Sequence, residues 1–210
     1  MQPYPSGIQS QTIARYTIGY ILRGSKRIFS GDSYREAKAG SLFFLDIGTH
    51  YIENAPDGNE QFEQISCYYS QSQIANIIAT LSTSMEMEIN AIVEHADDDK
   101  DFVICPAWST IKSFFINVNQ YIRCNSFSVD NVAEQIKTTE LVYLILSNNE
   151  CSIRNRLLSG IDFETENFEH CVRRHVFDNM SIEEMSKILN KSMTSFKKEF
   201  RTVFGQQPHR

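Results

Sequence analysis

The hydrophobic pattern of this chain changes its period near residue 70, and that change constrains the fold more than any other feature. Between residues 12 and 70, short segments rich in Ile, Tyr, Phe and Thr are separated by glycine- and proline-containing turns, a pattern typical of closely spaced β-strands. From Gln71 onward, apolar residues recur at helical spacing. Strands followed by helices predict an α+β fold that begins with a small β-barrel or sandwich.

Two longer amphipathic segments follow, each with one strong apolar face. The first spans residues 107–123 and carries Ile111, Phe114, Phe115, Val118 and Ile122. The second spans residues 129–148, with Ser128 as a candidate cap, and carries Val132, Ile136, Leu141, Leu144 and Ile145. The sheet, the partner helix or a second subunit must cover faces of this width. A short helix at 153–158 and a polar linker at 159–167 predict two domains, 8–160 and 161–210.

The last thirty residues predict two short helices joined by a tight turn. Ser181 with Glu184 forms a capping box, and Ser192 is a second N-cap candidate. Gly205 and Pro208 end the second helix, whose exposed side carries Thr194, Lys197, Lys198 and Arg201. Such a pair can place its second helix in a DNA major groove, although two terminal amphipathic helices are also typical of plain packing.

Bulk properties favour a cytoplasmic binding protein. No apolar run reaches the roughly 20 residues that span a bilayer, and the amino terminus lacks the basic and apolar regions of a signal peptide. The five cysteines form no CxxC pair, which favours reduced thiols. Residues 1–150 contain 10 Lys or Arg against 18 Asp or Glu, whereas residues 151–210 contain 10 against 8. An acidic body with a mildly basic end fits a protein that meets phosphates at one end.

The carboxyl-terminal pattern resembles the first helix-turn-helix of the AraC/XylS transcription regulators. The matching segments are SIEEMS at 181–186, SMTSFKKEFR at 192–201 and GQQP at 205–208. Lys198 stands where arginine is common in that family, which weakens a bidentate contact to guanine. The resemblance also implies a leading helix over 168–179. Upstream, the strands around AKAGSLFFLD are similar to the cupin-like amino-terminal domains of the same family over residues 15–70.

The resemblance implies a sequence-specific transcription regulator that binds promoter DNA. Its cupin-like domain would answer to a small-molecule effector or, as in the ExsA-like branch, to a protein effector. Helices within 107–148 would form a homodimer interface. Thr194, Lys197 and Lys198 would face bases, Arg201 and Lys191 would contact phosphates, and the caps at Ser181 and Ser192 would present backbone amides to phosphates.

The family pattern includes a second helix-turn-helix, which this sequence does not contain. We therefore expect either a truncated form of a longer regulator or a shortened protein that senses or dimerises without binding DNA by itself. The fold class predicted is thus α+β: an N-terminal cupin-like barrel or sandwich, a helical dimerisation hairpin and a C-terminal all-α subdomain with the first helix-turn-helix at 181–205.

The sequence offers candidate residues for a ligand pocket, but it does not offer enough residues for a metal or catalytic site. A small barrel can hold one ligand in its mouth, and the candidate lining is Tyr16, Tyr20, Phe43, Tyr51 and Tyr68, although aromatic strand residues also serve as plain core. His50 and Glu53 alone cannot supply three metal ligands, so neither a metal nor another cofactor is expected. Because nucleophile and phosphate-loop motifs are also missing, the sequence predicts no catalytic residues and no enzyme.

Overall fold

The computed structural model describes residues 5–87, 89, 101–124, 132–159, 168–169, 172, 181–189 and 191–208. The strands in this part of the chain are β1 (Gln9–Ile13), β2 (Tyr16–Arg23), β3 (Ser25–Ser30), β4 (Ser33–Lys38), β5 (Ser41–Leu45), β6 (Gly48–Ala55), β7 (Glu63–Tyr69) and β8 (Phe102–Pro106). The helices are α1 (Gln71–Ser84), α2 (Ser109–Arg123), α3 (Val132–Leu146), α4 (Ser152–Ser159), α5 (Ile182–Ile188) and α6 (Met193–Phe204).

The strands form two antiparallel four-stranded sheets. Sheet 1 has the order β1-β6-β3-β4, and sheet 2 has the order β7-β2-β5-β8. Side chains from both sheets meet in one apolar cluster, so the sheets enclose a common interior. The inter-sheet cluster consists of Ile13, Ile21, Ile28, Ala37, Phe43, Leu45, Ile52 and Phe102.

Close packing between the sheets depends on Gly19 in β2. A Cβ atom at this position would lie 2.1 Å from the ring of Phe43, which is buried. Phe43 is the residue paired with Gly19 across β2 and β5. The phenyl ring therefore lies over the space that a side chain at residue 19 would otherwise fill, and glycine is required there by packing rather than by backbone angle.

The other face of sheet 2 is covered by helices. Because strand residues alternate between faces, Ile18, Leu42 and Phe44 point away from the inter-sheet cluster and join a second core with α1 to α4. Helix α1 begins with a capping box between Ser70 and Gln73. Helices α1 and α2 both pack against α3. The sheet and the helices therefore share the largest core of the protein.

Helices α5 and α6 have a separate small core. Phe168, Val172 and Phe196 are buried together, and the partly buried residues around them come from α5 and α6. Phe168 and Phe196 have ring centroids 5.1 Å apart. The capping box of Ser181 with Glu184 is present, and Gly205 ends α6 with a φ of 69° in the left-handed region.

The predicted α+β class with antiparallel sheets and several helices is confirmed. The two long helices occur at α2 and α3, and α4 extends one residue beyond the predicted segment at each end. Ser128 and residues 160–167 of the linker lie outside the described residues, as does most of the leading helix at 168–179. Strand β8 was not anticipated. Among the described residues, no helix has both the length and the apolar character to cross a membrane.

Candidate functional site

Helix α6 turns one face into the small carboxyl-terminal core and the other to solvent. Ser192 caps its first turn by accepting a hydrogen bond from the backbone amide of Ser195 at 3.2 Å. Phe196 is fully buried, and Phe200 packs beside it with ring centroids 5.9 Å apart. The solvent side presents polar and cationic residues, namely Thr194, Lys197, Lys198, Arg201 and Thr202. The same periodicity that anchors the helix therefore fixes which residues it exposes.

The basic residues of α5, of α6 and of the turn between them fall into two groups. Lys187 lies 2.9 Å from Glu183, and Lys191 lies 2.8 Å from Glu199. In contrast, no carboxylate in the described part of the chain forms an ion pair with Lys197, Lys198 or Arg201. Among the described residues, the lysines of α5 and of the turn are therefore paired with carboxylates, whereas the cations on the exposed face of α6 are not.

These cations border a shallow concavity of about 490 Å³. Its lining consists of Lys197, Lys198, Arg201, Thr202 and Gln207. A surface depression rich in ammonium and guanidinium groups offers charge-assisted hydrogen bonds to phosphate oxygens. We define Lys197, Lys198 and Arg201 as the cationic face of α6.

The structure assigns different positions to the residues predicted to contact DNA. Thr194, Lys197, Lys198 and Arg201 all lie on the exposed side of α6. Ser181 and Ser192 are helix caps, and their hydroxyls accept hydrogen bonds from backbone amides. Lys191, predicted to contact a phosphate, has its ammonium paired with Glu199 at 2.8 Å, and both side chains are largely buried. It ties the turn to α6 instead.

The five aromatic residues predicted to line an effector pocket do not come together. Tyr16 and Tyr20 face the helices, where they stack on Phe44 and Phe115, while Phe43 lies between the sheets. Tyr51 and Tyr68 are about half exposed. The sequence pattern grouped these residues by type, but alternation along each strand sends neighbours to opposite faces. A common aromatic lining is therefore replaced by three separate environments.

A buried lysine between the sheets was not anticipated. Lys26 of β3 is only 2% exposed, and its Nζ donates a hydrogen bond to Oδ1 of Asn54 at 2.8 Å. The ammonium also lies 5.5 Å from the ring centroids of Phe43 and Phe62. Burial lowers the pKa of Lys26 to about 8. In the portion of the chain that the structure describes, no carboxylate pairs with this charge.

His50 and Glu53 lie on opposite faces of β6, since an odd separation along a strand reverses the side. His50 is buried, and its Nε2 is 2.7 Å from the backbone oxygen of Asp46. Glu53 instead accepts a hydrogen bond from Arg27 at 3.0 Å. The described residues contain no group of three or more His, Cys, Asp or Glu side chains arranged to hold a metal ion.

Helix α4 is attached to the sheets by charged groups far apart in sequence. Arg156 forms an ion pair with Asp46, which lies between β5 and β6. The Nε of Arg154 donates a hydrogen bond to the backbone oxygen of Leu146 at 3.1 Å, which joins α4 to the end of α3. Because α4 is the last described helix before Phe168, these contacts set where the chain leaves the amino-terminal core.

Comparison with known proteins relates most of this chain to a family of regulatory domains. Residues 16–153 match the family described as the ExsA N-terminal regulatory domain. A crystal structure of a variant of apo ToxT from Vibrio cholerae superimposes with a TM-score of 0.50 at 14% identity, covering 97% of this chain and 72% of ToxT. That likeness shows a shared fold. No curated protein sequence matches the chain.

Two further solved structures were also similar. Fatty-acid-bound ToxT from Vibrio cholerae has a TM-score of 0.47 at 12% identity, covering 96% of this chain and 72% of ToxT. The AraC-like transcriptional activator CuxR has a TM-score of 0.41 at 11% identity, covering 92% of this chain and 66% of CuxR. The family match spans well over half of the sequence. The chain therefore belongs to the AraC-like regulators whose amino-terminal regulatory domain is of the ExsA type.

Proposed function

We propose that this protein is a transcription regulator that binds promoter DNA through α6, and that it acts in the cytoplasm by binding rather than by catalysis. The observation that carries the proposal is the cationic face of α6, whose three charges have no carboxylate partner among the described residues while the neighbouring lysines are paired. Helices α5 and α6, with their tight turn, constitute the helix-turn-helix. The capped amino terminus of α6 directs Thr194 toward base edges.

Selection from a random duplex library tests this function directly. The purified chain is expected to enrich one sequence class, because base edges near Thr194 and Lys197 add to a nonspecific phosphate term. Binding should weaken with salt, with a slope of log affinity against log salt of roughly −3 for one subunit that neutralises three phosphates. Recovery of an unenriched library together with salt-independent retention would contradict DNA recognition by this chain.

We further propose a homodimer through α2 and α3. Both helices bury one face in the largest core, yet Ile116, Ile122 and Ile136 remain more than half exposed on their outer sides. Exposed isoleucines on adjacent helices favour covering by a second copy, and a two-fold dimer would match paired DNA half-sites. The alternative, a sensor that dimerises without binding DNA by itself, shares this interface and differs only at α6.

For the effector, we propose an anionic compound that binds within the cupin-like sandwich and pairs with Lys26. Among the described residues, the buried ammonium contacts only one amide and two aromatic rings, an arrangement that is energetically unfavourable for a charge. An anionic ligand would compensate that charge. The aromatic rings of Phe43 and Phe62 would contact the apolar part of such a compound. A protein effector remains the second candidate, because the family match is to a regulatory domain and not to a ligand class.

Replacing Lys26 by Met should stabilise the ligand-free protein at pH 7 by roughly 1–3 kcal/mol. The pKa of Lys26 is about 8 in the folded state and 10.5 in the unfolded state, so the folded state binds the proton less well. Below pH 8 the lysine is protonated in both states, and its charge then destabilises the folded protein by the full amount. The stability of the parent protein should therefore rise between pH 8 and 10.5, and the advantage of Lys26→Met should shrink over the same window.

Urea unfolding at pH 7 and at pH 10 measures this difference, with Lys38→Met on the neighbouring strand as the exposed control. The control should change stability little at either pH. Equal stability of Lys26→Met and the parent protein at both pH values would contradict a destabilising charge. A panel of small carboxylates and phosphates tests the effector proposal, since any thermal shift they cause should disappear in Lys26→Met.

A further inference from the structure

Two cysteine thiols face each other where α4 meets sheet 2. The Sγ atoms of Cys105 and Cys151 are 3.9 Å apart, although the residues are 46 positions apart in sequence. Cys105 belongs to β8, the edge strand of the sheet, and Cys151 immediately precedes α4. Helix α4 packs directly on β8. Neither DNA binding nor an effector in the sandwich makes use of this pair.

The surroundings of the two sulfurs differ in a way that assigns them different chemical roles. The hydrogen bond from Cys105 is the main cause that lowers the pKa of Cys151 to about 7, helped by backbone amides at the start of α4 and opposed by burial. The same hydrogen bond, together with burial, raises the pKa of Cys105. Cys151 is thus the more acidic thiol of the pair and the better nucleophile, and Cys105 lies beside it as the thiol that can resolve its oxidised form.

We propose that Cys105 and Cys151 form a reversible disulfide, a modification site that fixes α4 to the edge of sheet 2. Hydrogen peroxide is the oxidant class. The Cys151 thiolate attacks one peroxide oxygen, the O–O bond breaks, and hydroxide leaves and takes a proton to become water, so Cys151 becomes a sulfenic acid. The sulfur of Cys105 then attacks the sulfenic sulfur, its proton leaves with the hydroxyl group, and a second water forms. The two thiols together lose two electrons.

The fold brings this pair together and keeps the other described thiols away. An S–S bond of about 2.05 Å requires the two sulfurs to approach by about 2 Å. Cys151 lies at the end of the connection between α3 and α4, where a small shift is possible without disturbing a helix interior. Cys67 is on β7 at the opposite edge of sheet 2, and Cys124 follows α2 and is exposed. Cys105 is half-buried and Cys151 is 3% exposed, so the oxidant must be as small as peroxide.

A covalent bond here would reinforce the attachment that Arg156 and Asp46 already provide. The bond would close a loop containing α2 and α3, which restricts the unfolded chain and favours the docked position of α4. Local opening of α4 away from β8 would then require breaking the disulfide. Oxidation is therefore expected to hold α4 in one position against β8.

The test uses the full chain treated with equimolar hydrogen peroxide and digested without reductant. We expect a cross-linked peptide containing Cys105 and Cys151, loss of two of the five thiols, and recovery of both with dithiothreitol. The Tm should rise by roughly 5–10 °C on oxidation. Amide hydrogen exchange in α4 should slow. Cys124→Ser should behave like the parent protein, whereas Cys105→Ser and Cys151→Ser should show none of these changes.

Retention of all five thiols after peroxide treatment would overturn the proposal. So would a cross-link that involves another cysteine, or overoxidation of Cys151 without a cross-link. If either serine variant fails to fold, peptide mapping of the oxidised parent protein still shows whether Cys105 and Cys151 are linked, because the cross-linked peptide identifies both residues directly. A cross-link that leaves exchange in α4 unchanged would contradict the claim that the bond fixes this helix.

Discussion

Replacing Lys197 and Lys198 together by Ala is expected to reduce DNA affinity by about 100-fold at low salt, because each lysine supplies one positive charge to the cationic face of α6. The slope of log affinity against log salt should become less steep by about 2 for each subunit. Both side chains are exposed, so the fold should be unaffected. Fluorescence anisotropy with duplex DNA selected by the parent protein measures both quantities.

A matched control removes the same amount of charge elsewhere. Lys38→Ala with Lys187→Ala changes two exposed lysines away from α6 and from the proposed dimer interface, one on β4 paired with Glu36 and one on α5 paired with Glu183. We expect this control to lower affinity less than threefold, since only the long-range field changes. Equal losses in the two double variants would mean that net charge, and not the position of α6, determines binding. Unchanged affinity at Lys197 and Lys198 would remove α6 as the recognition helix.

Phe196→Ala should unfold the carboxyl-terminal unit while leaving the sheets and α1 to α4 intact. Phe196 is fully buried with its ring tilted against that of Phe168, and Val172 is the other buried residue of this cluster among those that the structure describes. Truncating a buried phenylalanine costs about 3–5 kcal/mol, which approaches the whole stability of so small a core. Hydrogen exchange should show loss of protection in α5 and α6 only, with DNA binding lost as well.

Ser195→Ala provides the control for this variant because the residue lies on the same helix and its side chain is exposed. Its backbone amide, which caps the helix with Ser192, is retained. Protection and DNA binding should therefore stay near those of the parent protein. If Phe196→Ala instead lowers protection throughout the sheets, the two cores are coupled and the carboxyl-terminal unit does not fold separately.

The helices were predictable because their signals are local. The capping box at Ser181, the cap at Ser192 and the stop at Gly205 lie within a few residues of the segments they delimit, and each is present. The apolar stripes of α2 and α3 likewise need only a window of about 15 residues. Strand β8 was missed because its five residues have no alternating pattern, and only its apolar and β-branched content signals a strand.

The candidate sites were less predictable because they depend on pairing between distant segments. Lys26 is buried because β3 turns residues 26 and 28 toward sheet 2, and one sequence does not specify that choice of face. The ion pair of Lys191 with Glu199 depends on how the turn packs against α6, which the local sequence does not specify. The contact of Asp46 with Arg156 joins residues 110 positions apart, and charge patterns along the chain carry no sign of it.

The order of strands in sheet 2 has a consequence for synthesis of the protein. Strand β5 is among the most apolar strands and pairs with β2 on one side, but its other side is completed only by β8, which is made after residue 101. While the ribosome makes the intervening segment, the peptide groups of Ser41–Leu45 have one unsatisfied edge that another nascent chain can occupy. Any shortened version of this chain that ends before Pro106 would retain that edge permanently, and aggregation through β5 is its expected fate.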